Sequence, residues 1–232
     1  MPSVVPAPIL VVAALSYELE RLQRAAHAKL ALLETGEGVE NAKREVESWL
    51  GKRAARAVLS IGFAGALSAP LQIGDLVIAE RVHGSDANPD ANLLAASKQI
   101  DIGFPVRVGS AVTAHQILWQ AASKRALASS LGTNEIAFVD MESTAIADVC
   151  AGRGLPFLII RSISDLLDED LPLDFNQYRN HEGRVVPGKV LNAALLRPAA
   201  FRRLLKLRKR SRLCAGRMAE FVERLVPLID GS

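Results

Sequence analysis

Three short segments of the chain hold side chains that could do chemistry together. Phe138-Val139-Asp140-Met141-Glu142-Ser143-Thr144-Ala145 sets two carboxylates either side of a methionine, where an apolar stretch gives way to a helical one. Pro156-Phe157-Leu158-Ile159-Ile160-Arg161-Ser162-Ile163-Ser164-Asp165 ends a run suited to a buried strand with Arg, Ser and Asp inside five residues. Ser16 and Glu18 follow the first apolar run. A carboxylate can accept hydrogen bonds from two adjacent hydroxyls, which is what holding a ribose requires. An aspartic acid at a strand end could donate a proton to a leaving base. Plainer readings stand beside these: Asp140 and Asp165 as helix caps, and Glu142 as an acidic residue of a first turn. Leu166-Leu167-Asp168-Glu169-Asp170 is a poor start for a long helix, which weighs against a cap at Asp165.

The elements that must position these groups read as an alternation. Pro8 to Ala14 is a short continuous apolar run, the pattern of a strand buried on both faces. Further strands are expected at Ala57 to Ile61, Leu76 to Ala79, Val106 to Val112, Ile136 to Val139 and Phe157 to Ile160. Helices are expected over Val39 to Leu50, Gln116 to Ser130 and Met141 to Ala151. This alternation predicts an α/β fold, a three-layer α/β/α arrangement around a central mixed sheet. Ligands of such sheets sit outside the carboxyl ends of the strands. The polar residues expected there are Glu18, Ser60 with Gly62, Thr113 with His115, Asp140 with Glu142, and Arg161, Ser164 and Asp165. Glu18 and Asp165 are then expected within about 15 Å of each other, the span of one sugar and base.

Composition narrows the function classes. A chain of 232 residues is read as one compact unit, with a core over 1–171. Residues 172–232 are expected to form a loop and basic C-terminal helices packed on that same domain. Half of the residues are hydrophobic, yet no apolar run reaches the 18 or so residues of a membrane span. Charged residues at 23% exclude a disordered chain. Cys150 and Cys214, with no CxxC or Cys/His cluster, exclude a disulfide framework or zinc module. The start, MPSVVPAPIL, has no basic segment and three prolines, so no signal peptide is expected and the protein reads as cytoplasmic. The net charge of +3 hides an asymmetry: from Gly183 to Ala219 there are eleven basic residues and no acidic one. Such a tail could meet an anionic membrane or a nucleic acid, of which nucleic acid is the lesser expectation.

The segments above, taken in order, resemble the nucleoside phosphorylase and nucleosidase superfamily, in particular the methylthioadenosine/S-adenosylhomocysteine nucleosidases. The matching pieces are Ala14-Leu15-Ser16-Tyr17-Glu18-Leu19, Thr35-Gly36-Glu37-Gly38 with Asn41-Ala42, Gly62-Phe63-Ala64-Gly65-Ala66-Leu67 leading to Ile73-Gly74-Asp75-Leu76-Val77, Asp140-Met141-Glu142, and Arg161-Ser162-Ile163-Ser164-Asp165. The resemblance implies that Glu18 orients or activates the attacking water. It implies that Met141 and Glu142 floor the ribose and clamp its hydroxyls, and that Asp165, supported by Ser164 and Arg161, assists adenine departure. Gly62, Phe63, Asp140 and His115 are carried as further substrate-side residues, and Gly36 with Gly38 as the phosphate or water side. Phe63 stands where these enzymes usually place a serine or threonine, and Asp140 replaces a glutamate. No Gly-x-Pro-x-Arg phosphate motif follows the first strand, and an early hairpin of the family is expected to be missing. The Leu171-Pro172-Leu173-Asp174-Phe175 loop, the Leu195-Leu196-Arg197-Pro198 break and the basic helix resemble the hopanoid-associated phosphorylases. That branch implies a nucleoside joined through its 5′ carbon to a triterpene lipid.

No metal or organic cofactor is expected, with phosphate as co-substrate if the reaction is phosphorolytic. The implied partners are a small-molecule nucleoside, a second copy in a homodimer, and peripheral contact with an anionic membrane through the basic helix. His27, His83 and His181 share no metal-ligand spacing. Cys150, Trp49 and Trp119 read as packing residues. The competing class is a membrane or nucleic-acid adaptor on an inactive fold, which would have no need of Glu18, Glu142 and Asp165 together.

Overall fold

The computed structural model describes residues 6–24, 29–132 and 135–229. His27, the first five residues of the segment read for a leader, and the last three residues lie outside them. Seven strands and seven α-helices alternate along these residues: β1 (Ile9–Ala13), α1 (Ser16–Arg24), β2 (Leu30–Glu34), α2 (Val39–Leu50), β3 (Ala57–Ala66), β4 (Leu76–His83), α3 (Ala91–Lys98), β5 (Val106–Thr113), α4 (Ala121–Ser130), β6 (Ala137–Asp140), α5 (Ser143–Gly152), β7 (Phe157–Asp165), α6 (Pro187–Leu195) and α7 (Pro198–Ile229).

The sheet is mixed, in the order β2-β1-β3-β6-β5-β4-β7. β7 pairs with β4 antiparallel and also with β3 in parallel, so the sheet curls until five strands close on themselves. The curl needs a close approach at Gly109 of β5, where a Cβ would collide with the Ile136 carbonyl. That glycine, which weakens the strand pattern in the sequence, is what lets β5 lie beside β6.

Why the strands are apolar throughout is visible in the packing. Leu10, Val12, Val58 and Ile159 face one layer with Val46 and Trp49 of α2 and Ile146 and Cys150 of α5. Ile9, Val11, Leu59 and Ile160 face the other with Leu19 of α1 and Met218, Phe221, Val222 and Leu225 of α7. Successive side chains point to opposite faces, so both alternating sets must be apolar when helices cover both sides. The C-terminal half of α7 thus supplies core residues to the same layer as β1. Pro198 stands at the start of α7, a position where its fixed φ suits a first turn.

Several elements run differently from the sequence pattern. The helix expected from Gln116 begins at Ala121, and the one expected from Met141 begins at Ser143. α1, α3 and β2 have weak or short patterns, and the chain between β1 and Thr35 forms α1 and a parallel strand. β3 and β7 continue past the apolar runs that marked them.

Candidate active site

The extension of β7 builds the site. Arg161, Ser164 and Asp165 lie inside the strand, not after it, and all are buried. β3 and β7 pair in register from Val58 with Phe157 to Ala64 with Ile163, and then Gly65 pairs with Asp165. The slip leaves Ser164 as an extra residue, and a bulge of this kind re-aims side chains that strict alternation would send to opposite faces. Ser164 Oγ accordingly donates to Asp165 Oδ1 at 2.8 Å.

Asp165 has a second partner that the sequence reading omits. Lys124 of α4 is fully buried, and its Nζ donates to Asp165 Oδ2 at 2.6 Å and to the Leu166 carbonyl. Room for the pair comes from Gly65, where a Cβ would lie 3.0 Å from Asp165 Oδ2 and 3.5 Å from Lys124 Cδ. A signal for Lys124 was present: it recurs at helical spacing with Ala121 and Ala128, on the apolar face of α4. Burial pushes the Asp165 carboxyl above its ordinary value, with the Lys124 ammonium and the Ser164 hydroxyl opposing.

Glu18 sits in the first turn of α1 and is 2% exposed. Its Oε2 accepts from Leu15 N at 2.9 Å and its Oε1 from Phe63 N at 3.1 Å. Gly62 makes this possible, since a Cβ there would touch Glu18 Oε1 at 3.4 Å and Arg161 Nε at 3.6 Å. Burial raises the Glu18 carboxyl to about 8, assisted by the Glu142 charge; the two backbone donors and the Arg161 guanidinium pull the other way. Glu18 is held at Phe63, and Asp165 lies against Gly65 two residues further along β3. At the rise of a β-strand the two β3 residues that meet these side chains are about 7 Å apart.

Between them stands an ion-pair network. Arg161 is 1% exposed; its Nε donates to Asp140 Oδ2 at 2.8 Å, and its Nη atoms donate to the Ser60 carbonyl and hydroxyl and to the Ile160 carbonyl. Asp140 also accepts from Ser143 N and from the Ser143 hydroxyl. The cap reading of Asp140 and the site reading meet here: it caps the start of α5 while holding Arg161. Its oxygens are committed to protein donors, so its substrate-side part is to position others. Glu142 is half-buried, with Oε1 accepting from Gly38 N at 2.7 Å. Burial and the nearby Asp140 charge raise its carboxyl to about 7.

The glycines expected on the phosphate or water side are placed otherwise. Gly36 N donates to the Ala14 carbonyl at 3.0 Å, and Gly38 N is taken by Glu142, so neither amide is left to cradle an anion. Both have positive φ, 80° and 94°, which turns the chain from β2 into α2 and aims Gly38 N at Glu142. His115 is the plainest correction. It is exposed, and the neighbouring Gln116, Ile117 and Leu118 line the cavity instead, because β5 ends at Thr113 and the chain turns.

One cavity of about 870 Å³ takes in Arg161 and the four carboxyls of Glu18, Asp140, Glu142 and Asp165. Its polar end is lined by Glu18, Gly62, Phe63, Asp140, Met141, Glu142, Arg161, Ser164 and Asp165. Its other arm is apolar, lined by Leu171, Phe175, Val190, Phe201, Leu204 and Leu205, with Arg208 and Arg212 beside them. That volume lies at the upper end of the range for small-molecule sites, about 300–1,000 Å³. The arm is built from the loop, α6 and α7, over a satellite cluster of Leu173, Val190, Ala194 and Ala200. Phe63 forms one wall, its ring 5.4 Å from that of Tyr17.

Residues 16–195 match the phosphorylase superfamily, and the chain belongs to it. A 5′-methylthioadenosine/S-adenosylhomocysteine nucleosidase of Marinomonas sp. (strain MWYL1) is 27% identical over 169 residues, 64% of this chain and 73% of the relative. One of Shewanella halifaxensis is 30% identical over 149 residues, 55% of this chain and 64% of the relative. In fold, the chain is similar to the Neisseria meningitidis 5′-methylthioadenosine/S-adenosylhomocysteine nucleosidase solved with methylthio-immucillin-A, with a TM-score of 0.73 at 20% identity over 95% of this chain and 99% of that one. A Helicobacter pylori futalosine hydrolase mutant aligns with a TM-score of 0.70 at 17% identity, over 96% and 99%.

Proposed function

We propose that this protein cleaves the N-glycosidic bond of a 5′-substituted purine nucleoside, releasing adenine, with water as the nucleophile. The observation that carries the reading is the shared polar end of the cavity, where Glu18, Glu142 and Asp165 converge. Glycosidic bonds break through an oxocarbenium-like state, favoured by a proton on the leaving group and by carboxylates near the sugar. In this reading Asp165 gives its proton to N7 as the C1′–N9 electron pair leaves with the base. Glu142 accepts from the ribose hydroxyls above Met141, and Glu18 takes the proton of the attacking water. The names of the relatives support the leaving group, since they act on adenine nucleosides substituted at the 5′ position.

Water is favoured over phosphate by the electrostatics. Phosphate sites need free backbone or guanidinium donors. Here the Gly36 and Gly38 amides are engaged, Arg161 is spread over Asp140, Ser60 and Ile160, and carboxylates flank the space. The test is adenine release, followed by absorbance, from a panel of 5′-substituted adenosines with and without phosphate. The 5-substituted ribose, unphosphorylated at C1, is the expected sugar product in both conditions. Sugar 1-phosphate appearing only with phosphate would overturn the choice of nucleophile, and no release from any member would leave the adaptor reading.

The apolar arm supports a bulky lipid at the 5′ position, such as the triterpene of adenosylhopane, over a methylthio group. Across the panel, kcat/KM is expected to rise with the apolar size of that substituent. A lipid-linked substrate must be drawn from a bilayer, and the helix beside the arm fits this. No helix among the described residues is long and apolar enough to cross a membrane. On α7 the exposed Arg202, Lys206, Arg208, Lys209 and Arg212 surround Leu205, which is 49% exposed, while Leu195 and Leu196 stand out at 59% and 85%. Each cation near an anionic surface contributes about 1 kcal/mol, and salt screens it. We expect cosedimentation with anionic vesicles at low salt that fades as salt rises and is lost when Arg202, Lys206, Arg208 and Lys209 become Gln. Arg210 is left alone because it pairs with Glu169 at 2.7 Å. Equal sedimentation of both proteins, or none at low salt, would retire the membrane contact.

A further inference from the structure

We propose that Lys124 is a positioning residue for the acid end of the site, holding Asp165 by Oδ2 so that Oδ1 serves the leaving base. The proposal rests on the nucleosidase reading above and deepens it. Lys124 does not line the cavity; it is fully buried behind Asp165 and reaches the reaction only through that carboxyl. A lysine ammonium is seldom buried completely unless it is paired, and this one donates to the Asp165 carboxylate and the Leu166 carbonyl. The strand beside it carries a glycine, Gly65, at the one place where a Cβ would meet both partners. With Oδ2 fixed by Lys124, the oxygen bonded to Ser164 is Oδ1.

The arrangement has a consequence for the proton. Before reaction, Asp165 must carry one; as the C1′–N9 bond breaks, that proton passes to N7 and a carboxylate remains. A cation in contact with the carboxylate makes that release easier, because it stabilises the form Asp165 reaches after giving its proton. The charged and titratable groups facing Asp165 are Lys124 from α4, Glu169 from the loop that follows β7, and Cys214 from α7. Glu169 opposes Lys124 and is itself paired with Arg210. Lys124 is therefore the cation that sets the acid strength of Asp165.

The test compares wild type with Lys124→Met, which keeps most of the side chain's bulk and removes the charge. Asp165, followed through its carboxyl carbon by NMR, is expected to titrate about 1–3 pH units higher in the variant, a readout independent of any substrate. In turnover, the alkaline limb of the kcat profile should move up by the same interval, kcat at neutral pH should fall at least tenfold, and KM should change less than threefold. Should Lys124→Met fold poorly, the Lys124→Met/Asp165→Asn double variant removes both charges, and it is expected to melt higher than Lys124→Met alone. An Asp165 titration that does not move, or a pH profile that superimposes on wild type, overturns the proposal and leaves Lys124 a packing residue. If wild type itself releases no base from any nucleoside, the nucleosidase reading fails, while the NMR titration still decides whether Lys124 controls Asp165.

Discussion

Replacing Asp165 with Asn is expected to lower kcat by about 10²–10⁴-fold, the range over which a placed general acid contributes. An amide matches the carboxyl in size and its oxygen can still accept from Lys124, so the local structure has no steric reason to change. What it cannot do is deliver a proton to a base that leaves as an anion otherwise. KM should move little, because the lost interaction belongs to the transition state and not to the bound nucleoside. The variant should also be less stable, since the ammonium of Lys124, buried without exposure, loses its counter-charge. Steady-state kinetics on the best 5′-substituted adenosine, with a urea melt beside it, measures both. Near-wild-type kcat in a folded Asp165→Asn protein would make Asp165 a structural partner of Lys124 and nothing more.

What could be read in the sequence, and what could not, follows from how each feature is encoded. Strands such as β1 and β4 announce themselves because both of their faces are covered, which leaves an uninterrupted apolar run. The segments around Glu18, Asp140 and Asp165 stand out because polar residues interrupt such runs. β7 shows the limit: its last residues look like the start of a loop, since nothing local reveals that β3 and β4 hold Arg161 to Ser162 in the sheet. The bulge at Ser164 is a property of two strands together, so no single segment displays it. Lys124 shares a helical face with Ala121 and Ala128, but it lies 41 residues from Asp165, so its spacing hints at burial and not at its partner. The apolar arm was hidden for a similar reason: Leu204 and Leu205 read as one stripe of a basic helix, and only the fold turns that stripe toward the cavity. His115 errs in the opposite sense, because a polar residue just past a strand need not point inward once the chain turns.

Glu18 should link activity and stability in opposite directions. Its carboxyl is raised from 4.5 to about 8, so between those values the folded protein holds a proton that the unfolded chain has released. Stability contributed by that proton is present at low pH and is lost as pH rises toward about 8. At about 1.4 kcal/mol per pH unit, the full window corresponds to roughly 5 kcal/mol as an upper figure. Glu142 is raised to about 7, so it tilts the curve the same way in wild type and in a Glu18 variant alike. Glu18→Gln cannot titrate, and its stability should therefore fall less steeply between pH 5 and 9, by several kcal/mol on this scale. Part of the gain is offset, because an amide presents one oxygen to the two backbone donors of Leu15 and Phe63. Activity goes the other way. A base must lose its proton before it can accept one from water, so wild-type kcat/KM should climb as pH approaches about 8, and the Gln variant should lose that limb with most of its turnover. Denaturant melts at several pH values and the matching kcat/KM profiles test both halves. Parallel stability curves for the two proteins would show that Glu18 is ionised in the folded protein throughout, and a limb in Glu18→Gln that still climbs toward about 8, past the one Glu142 sets near 7, would assign the water's proton to another group.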